Sequence, residues 1–83
     1  MVRQVRIRYY AQLREALGKA TEDVGLDFPA RERDILERLA ALHPKQRDLF
    51  LASRVAVGDG YVDGQAAVES ADDIDIISPI SGG

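Results

Sequence analysis

Val5-Arg6-Ile7-Arg8-Tyr9-Tyr10-Ala11-Gln12-Leu13-Arg14-Glu15-Ala16-Leu17-Gly18 changes period halfway along. Val5, Ile7 and Tyr9 alternate with Arg6, Arg8 and Tyr10, the period-2 signature of a strand with one buried face. From Ala11 onward good helix formers take over, and Leu13 and Leu17 stand four apart on one helical face. Gly18 is a natural helix stop. A second alternation follows in Val24, Leu26 and Phe28, ending at Pro29. The short helix between these strands suits either a crossover or a wide hairpin.

Further along, the spacing predicts a main helix over Arg31–Leu42. Its apolar stripe is Ile35, Leu36, Leu39 and Leu42, with Arg33, Glu37 and Arg38 outside. His43-Pro44 closes it, because the residue before a proline avoids the helical region. Lys45–Phe50 is ambiguous, and Leu49, Phe50 and Leu51 are expected to plug the core from a short helical turn. Arg54-Val55-Ala56-Val57 reads as a strand, Gly58-Asp59-Gly60 as a turn and Tyr61-Val62 as the return strand. Ile74, Ile76 and Ile77 mark a last strand, ended by Ser78-Pro79. The resulting order, β-(short α)-β-α-β-β-β, predicts an α+β layer. It is the order of the ubiquitin-like β-grasp fold, a mixed sheet of about five strands with one main helix packed across it. The expected division is a β-grasp domain over 1–79 and a flexible tail over 80–83.

Composition narrows the functional classes. The 83 residues make one small domain. A chain of this size buries only about 60–65% of its unfolded surface and has no room for a deep enzymatic cleft. There is no Cys, so neither a disulfide frame nor a thiolate metal site is available, and any sulfur chemistry must use something other than a side-chain thiol. Net charge is −3, with 11 Lys+Arg against 14 Asp+Glu, which argues against a general nucleic-acid binder. Apolar runs are far short of the ~20 residues that span a membrane, and the N-terminus has no signal-peptide core. A cytoplasmic protein is expected. Arg3, Arg6, Arg8 and Arg14 crowd the first segment and Asp72, Asp73 and Asp75 the last. These patches are read either as solvated faces or as charges that orient a partner.

The candidate chemistry lies at the end of the sequence, Ile80-Ser81-Gly82-Gly83. Two glycines without side chains can be fed, extended, through a channel too narrow for a Cβ. Activation of the Gly83 carboxylate by ATP would give an acyl-adenylate, and sulfur attack on it a thiocarboxylate, a soft sulfur nucleophile ionised near neutral pH. A frayed terminus is the competing reading of a Gly-Gly ending taken alone. His43, the only His, sits at a helix end where a cation suits the dipole, and no nucleophile motif completes a triad around it. Asp72, Asp73 and Asp75 lack the Gly turn and Glu of a calcium loop and read as a solvated turn, so no metal site is expected. Gly58-Asp59-Gly60 lacks the context and Lys of a phosphate loop. Tyr10 and Tyr61 fall on the strands' second face, where they form either a protein interface or packing against Arg stems.

Taken together, these residues resemble the small, sulfur-carrying subunit family of molybdopterin synthase. Ile7–Glu15 is similar to that family's strand, aromatic pair and Ala-x-x-Arg-Glu helix start. Asp27-Phe28-Pro29 looks like the segment before its main helix, and Val55–Val62 like its hairpin. Ser78-Pro79-Ile80-Ser81-Gly82-Gly83 is close to its Pro-Pro-Val-Ser/Thr-Gly-Gly ending. Departures are Gly58 for a turn Asn, Ser70–Ile74 for an Asp-Gly-Asp-Glu-Val turn, Ile76-Ile77 for an aromatic pair, and Ser78 for the first Pro. The resemblance implies docking through Tyr10, Tyr61 and Ile77, with Pro79 and Ile80 at the root of a tail whose Ser81, Gly82 and Gly83 enter the partner. It implies two partners: a ubiquitin-activating-like adenylyltransferase that uses ATP, and the large synthase subunit, which supplies the catalytic side chains. It also implies no cofactor bound to this chain. A carrier for thiamin, cysteine or tRNA thiolation, or a ubiquitin-like modifier of proteins, is the alternative reading.

Overall fold

A computed structural model describes residues 1–79 of the protein. Ten elements lie outside a 3-10 turn at Pro44–Gln46. They are β1 (Val2–Tyr9), α1 (Ala11–Leu17), β2 (Thr21–Asp27), β3 (Ala30–Arg31), α2 (Glu32–Leu42), α3 (Arg47–Leu51), β4 (Arg54–Val57), β5 (Gly60–Tyr61), β6 (Ala67–Val68) and β7 (Asp73–Ile77). Five strands form a mixed sheet in the order β2-β1-β7-β4-β5. With α2 across one face, this is the β-grasp architecture expected from the element order.

The pleat sorts the sheet into two faces. Val5, Ile7 and Tyr9 of β1, Val24 and Leu26 of β2, Val55 of β4 and Ile74 and Ile76 of β7 are all buried. Helix α2 covers them with Ile35, Leu36, Leu39 and Ala40, α1 adds Leu13, and α3 inserts Phe50. Each fully buried large side chain contributes about 1.5–3 kcal/mol, so this shared core is what holds a small domain together.

Local chemistry sets the element ends. Gly18 adopts φ +71 and donates its N–H to the Arg14 carbonyl at 3.0 Å, closing α1. Asp34 accepts the Arg31 N–H at 3.0 Å at the start of α2. In the β4–β5 hairpin, Val57 pairs with Gly60 around Gly58-Asp59. Gly58 has φ +63, the positive value a type II′ hairpin puts at its first central position.

Of the two connections through α1 that the sequence allowed, the protein has the wide hairpin, because β1 and β2 pair antiparallel. Several expectations need correction. Leu42 is 42% exposed, and Ala40 takes its place in the stripe, one turn after Leu36. The turn before β5 is two residues, with Gly60 already in the strand. Two-residue strands β3 and β6 pair with each other beside the main sheet, a feature too short to show a period. The charged patches are not separate faces. Strands β1 and β7 pair in parallel with Arg6 opposite Asp73 and Arg8 opposite Asp75. Ion pairs Arg3–Asp72 (2.5 Å) and Arg8–Asp75 (2.6 Å) cross the same seam. The basic first segment and the acidic last one therefore offset each other.

Candidate functional site

The second face of the sheet is where the sequence-predicted site residues meet. Strand β7 occupies its centre, between β1 and β4. Because Ile74 and Ile76 point into the core, Asp73, Asp75 and Ile77 take the opposite side. On β4, Arg54 pairs with Ile77 and Ala56 with Asp75; Ala56 pairs in turn with Tyr61 of β5. Tyr10 follows Tyr9, whose partner on β7 is Ile76, so Tyr10 leaves the sheet beside Ile77. Tyr10, Ile77, Ala56 and Tyr61 thus share one face, with Tyr10 40% and Tyr61 61% exposed.

Both tyrosines are held in place. The Tyr10 hydroxyl donates to Asp75 Oδ1 at 3.2 Å, and the same oxygen accepts Arg8 Nε at 2.6 Å. The hydrogen bond and charge of Asp75 raise the Arg8 pKa above its ordinary value, so the guanidinium stays charged at any physiological pH. The Arg54 guanidinium lies 4.9 Å from the Tyr61 ring centroid, a cation–π arrangement. Packing against an Arg and broad exposure therefore coexist at Tyr61. The face is a pair of restrained aromatic rings around Ile77, framed by Arg8, Arg54 and Asp75.

This face runs up to the end of β7. Ser78 is buried, 3% exposed, and its hydroxyl donates to the Tyr10 carbonyl at 3.1 Å; Pro79 is exposed. The next residue after Tyr10 is Ala11, whose φ of +51 lies in the left-handed region. That conformation costs a residue with a Cβ roughly 1–2 kcal/mol, so the corner at Tyr10 is a strained turn between strand and helix. Ile80, Ser81, Gly82 and Gly83, named from the sequence as the tail, lie outside the described residues.

His43 caps the C-terminal end of α2, as expected, its backbone N–H donating to the Leu39 carbonyl at 3.0 Å, and its side chain has a second role. Its ring nitrogen Nε2 lies 2.6 Å from Glu22 Oε2, and its ring stacks on Phe50 with centroids 5.8 Å apart. The buried Tyr9 hydroxyl donates to the same Glu22 oxygen. Burial, then the bond to Glu22, holds the Tyr9 phenol neutral well above the usual tyrosine range. Burial also pushes Glu22 upward, but the hydrogen bonds from Tyr9 and His43 outweigh it and leave the carboxyl below its ordinary value. This cluster joins β1, β2 and the end of α2. It is a structural lock across the core's edge, not part of the Tyr10 face.

Sequence reasoning named Tyr10, Tyr61 and Ile77 for this face but missed Asp75, Arg54 and Ser78. A signal for the first was present. Once Ile74 and Ile76 are taken as buried, Asp75 must face the same way as Ile77. Among the described residues, no group of three or more His, Cys, Asp or Glu side chains converges to hold a metal ion. No helix among them is long and apolar enough to cross a membrane.

Comparison with known proteins agrees with this architecture. The chain is 30% identical over 82 residues to the molybdopterin synthase sulfur carrier subunit of Chlamydomonas reinhardtii, covering 96% of this chain and 99% of that protein. It is 30% identical over 88 residues to the molybdopterin synthase sulfur carrier subunit of Dictyostelium discoideum, covering 100% of both. The crystal structure of SAMP1 from Haloferax volcanii superposes with a TM-score of 0.73 at 22% identity, covering 98% of this chain and all of that one. At that identity the likeness is one of fold. The profile of the ThiS family matches residues 7–83, from within β1 to Gly83. The chain belongs to the ThiS family.

Proposed function

We propose that this chain is the sulfur-carrying small subunit of a molybdopterin synthase, acting in the cytoplasm through the carboxylate of Gly83. The observation that carries the reading is the full-length relationship, at 30% identity, to two molybdopterin synthase sulfur carrier subunits. The arrangement of the described residues supports it. A central strand delivers the chain, at Ser78-Pro79, to the rim of a face bearing restrained, exposed aromatic rings, which is where a partner would dock beside a departing tail.

The reaction then runs in three steps. An adenylyltransferase joins the Gly83 carboxylate to the α-phosphate of ATP, and pyrophosphate leaves. Hydrosulfide attacks the acyl carbon, AMP leaves, and a thiocarboxylate remains; where the donor is a persulfide instead, the acyl disulfide it forms is cleaved by a thiol, which is oxidised to a disulfide as the thiocarboxylate is released. In the large synthase subunit, that sulfur attacks an electrophilic carbon of the pterin precursor and displaces an oxygen substituent, which leaves with the bonding pair and takes up a proton. Hydrolysis of the resulting acyl–sulfur bond leaves sulfur on the pterin and restores the carboxylate. Tyr10, Tyr61 and Ile77 dock the partner, and Pro79, Ile80, Ser81 and Gly82 lead Gly83 to its active site. ATP belongs to the activating partner, and this chain supplies position and sulfur, with no cofactor of its own.

The test is intact mass after incubation with ATP, an activating enzyme and a sulfur source. The expected product gains the mass difference of one oxygen-to-sulfur exchange, confined to the C-terminal peptide, and a chain lacking Gly83 folds but takes no sulfur. No exchange under conditions that load a known carrier sinks the proposal. Loading followed by transfer to a thiazole or tRNA acceptor, and not to a pterin precursor, would keep the chemistry and move the pathway.

A further inference from the structure

We propose that Ser78 is a positioning residue for sulfur loading: its hydroxyl ties the end of β7 to the Tyr10 corner and fixes the direction of the chain as it enters Pro79. The inference rests on the sulfur-carrier reading and adds to it a residue that neither docks nor reacts.

Three observations converge on it. Ser78 is a buried polar side chain directly after the last residue of β7, and it spends its hydrogen bond on the carbonyl of Tyr10, 68 positions earlier in the chain. Tyr10 is itself fixed at its far end, because its hydroxyl donates to Asp75, which Arg8 also holds. The corner that Ser78 grips is the strained one, with Ala11 at φ +51. Carbonyl, ring and tail root therefore form one rigid unit, built from β1 on one side and β7 on the other. A serine backbone has no ring to restrain φ, and here a hydrogen bond supplies the restraint.

Geometry gives the size of the effect. Four residues past Pro79 reach at most about 14 Å, so a swing of about 10° at the root displaces the tip by more than 2 Å. Displacements of about 1 Å at a reacting centre can cost up to about a hundredfold in rate. A partner's channel recovers part of that loss by gripping the tail, so the expected defect is smaller, roughly tenfold. It falls on the chemical step, because the docking face is unchanged.

The experiment compares the wild-type chain, Ser78→Ala and Ser78→Thr in adenylation and sulfur loading, with the partner varied through saturation. The expectation for Ser78→Ala is a roughly tenfold lower rate at saturation with half-saturation unchanged within about twofold, and recovery in Ser78→Thr. Melting curves of all three establish that the variants fold. A wild-type rate at saturation for Ser78→Ala overturns the proposal. So does a defect confined to half-saturation, which would make Ser78 a docking residue, or a defect that Ser78→Thr fails to repair. A second readout needs no partner: backbone nitrogen relaxation at position 78 and at Ala11 should show greater mobility in Ser78→Ala than in wild type. Unchanged relaxation there also overturns the proposal. Should the wild-type chain take no sulfur, the sulfur-carrier reading fails alone, and relaxation still decides whether Ser78 restrains the tail root.

Discussion

Replacing Tyr9 by Phe removes one oxygen from the lock between Tyr9, Glu22 and His43 and leaves the ring in the core. The wild-type hydroxyl is buried, with Tyr9 only 1% exposed, and it donates to a carboxylate whose side chain is 18% exposed. Hydrogen bonds to charged groups contribute about 1.5–3 kcal/mol, and partial solvation of Glu22 favours the lower half, about 1.5–2 kcal/mol. For a domain of this size that is a fall in melting temperature of roughly 6–16 °C. The pH dependence identifies the cause. Glu22 has a lowered pKa in the folded protein, so its contribution is present above the ordinary glutamate value of 4.5 and is lost as pH falls through the lowered folded value. Urea unfolding of both proteins at pH 7, and stepwise down through pH 4 to the lowest pH where both unfold cooperatively, should show the Tyr9→Phe penalty shrinking on the acid side. A penalty below about 0.5 kcal/mol at pH 7, or one equal at every pH, would refute the charge-assisted bond as the source.

Three further substitutions test the core and the proposed docking face. Leu39→Ala, at a fully buried position of α2, should cost about 2–5 kcal/mol, whereas Leu42→Ala, at the exposed end of the same helix, should cost less than about 1; chemical denaturation of both checks the corrected stripe. Ile77→Asp should leave the fold intact, since its side chain shares a face with Arg54, but should weaken binding to the activating enzyme and the large synthase subunit at least tenfold by placing a charge in an apolar contact. Calorimetric titration measures it, and undiminished affinity for both partners would remove Ile77 from the docking surface.

What could be read from the sequence follows from how far each signal reaches. The alternations of β1, β2 and β7, the stripe of α2 and the stop at Gly18 are local, and each is written within a few residues of itself. The same holds for the tyrosines, because a residue's face on a strand follows from its buried neighbours. What escaped depends on pairing across the chain. Arg8 and Asp75 look like members of two opposed patches until β1 and β7 lie side by side with those residues in register. Ser78 reads as a strand terminator until its partner is found at Tyr10. His43 reads correctly as the end of α2, but its side-chain partner, Glu22, comes from a strand 21 positions away. Leu42 fits the helical period, yet it is the last residue of α2 and stays exposed there. Strands of two residues, as in β3 and β6, carry no period to detect.

The placement of β7 gives the domain a form of self-inspection. The strand that closes the centre of the sheet comes from the last described stretch of the sequence and pairs in parallel with the first. During synthesis the seam between β1 and β4 stays open until those late residues emerge, since contacts this distant form only after nearly the whole chain is available. Damage in the core that loosens β7 also loosens Ser78, the residue that follows it. On the sulfur-carrier reading, a copy with a loosened β7 would offer an activating enzyme neither the face of Tyr10, Ile77 and Tyr61 nor a fixed Ser78. The keystone of the fold, the five residues of β7, is thus continuous with Ser78, the residue proposed to mount the reactive end.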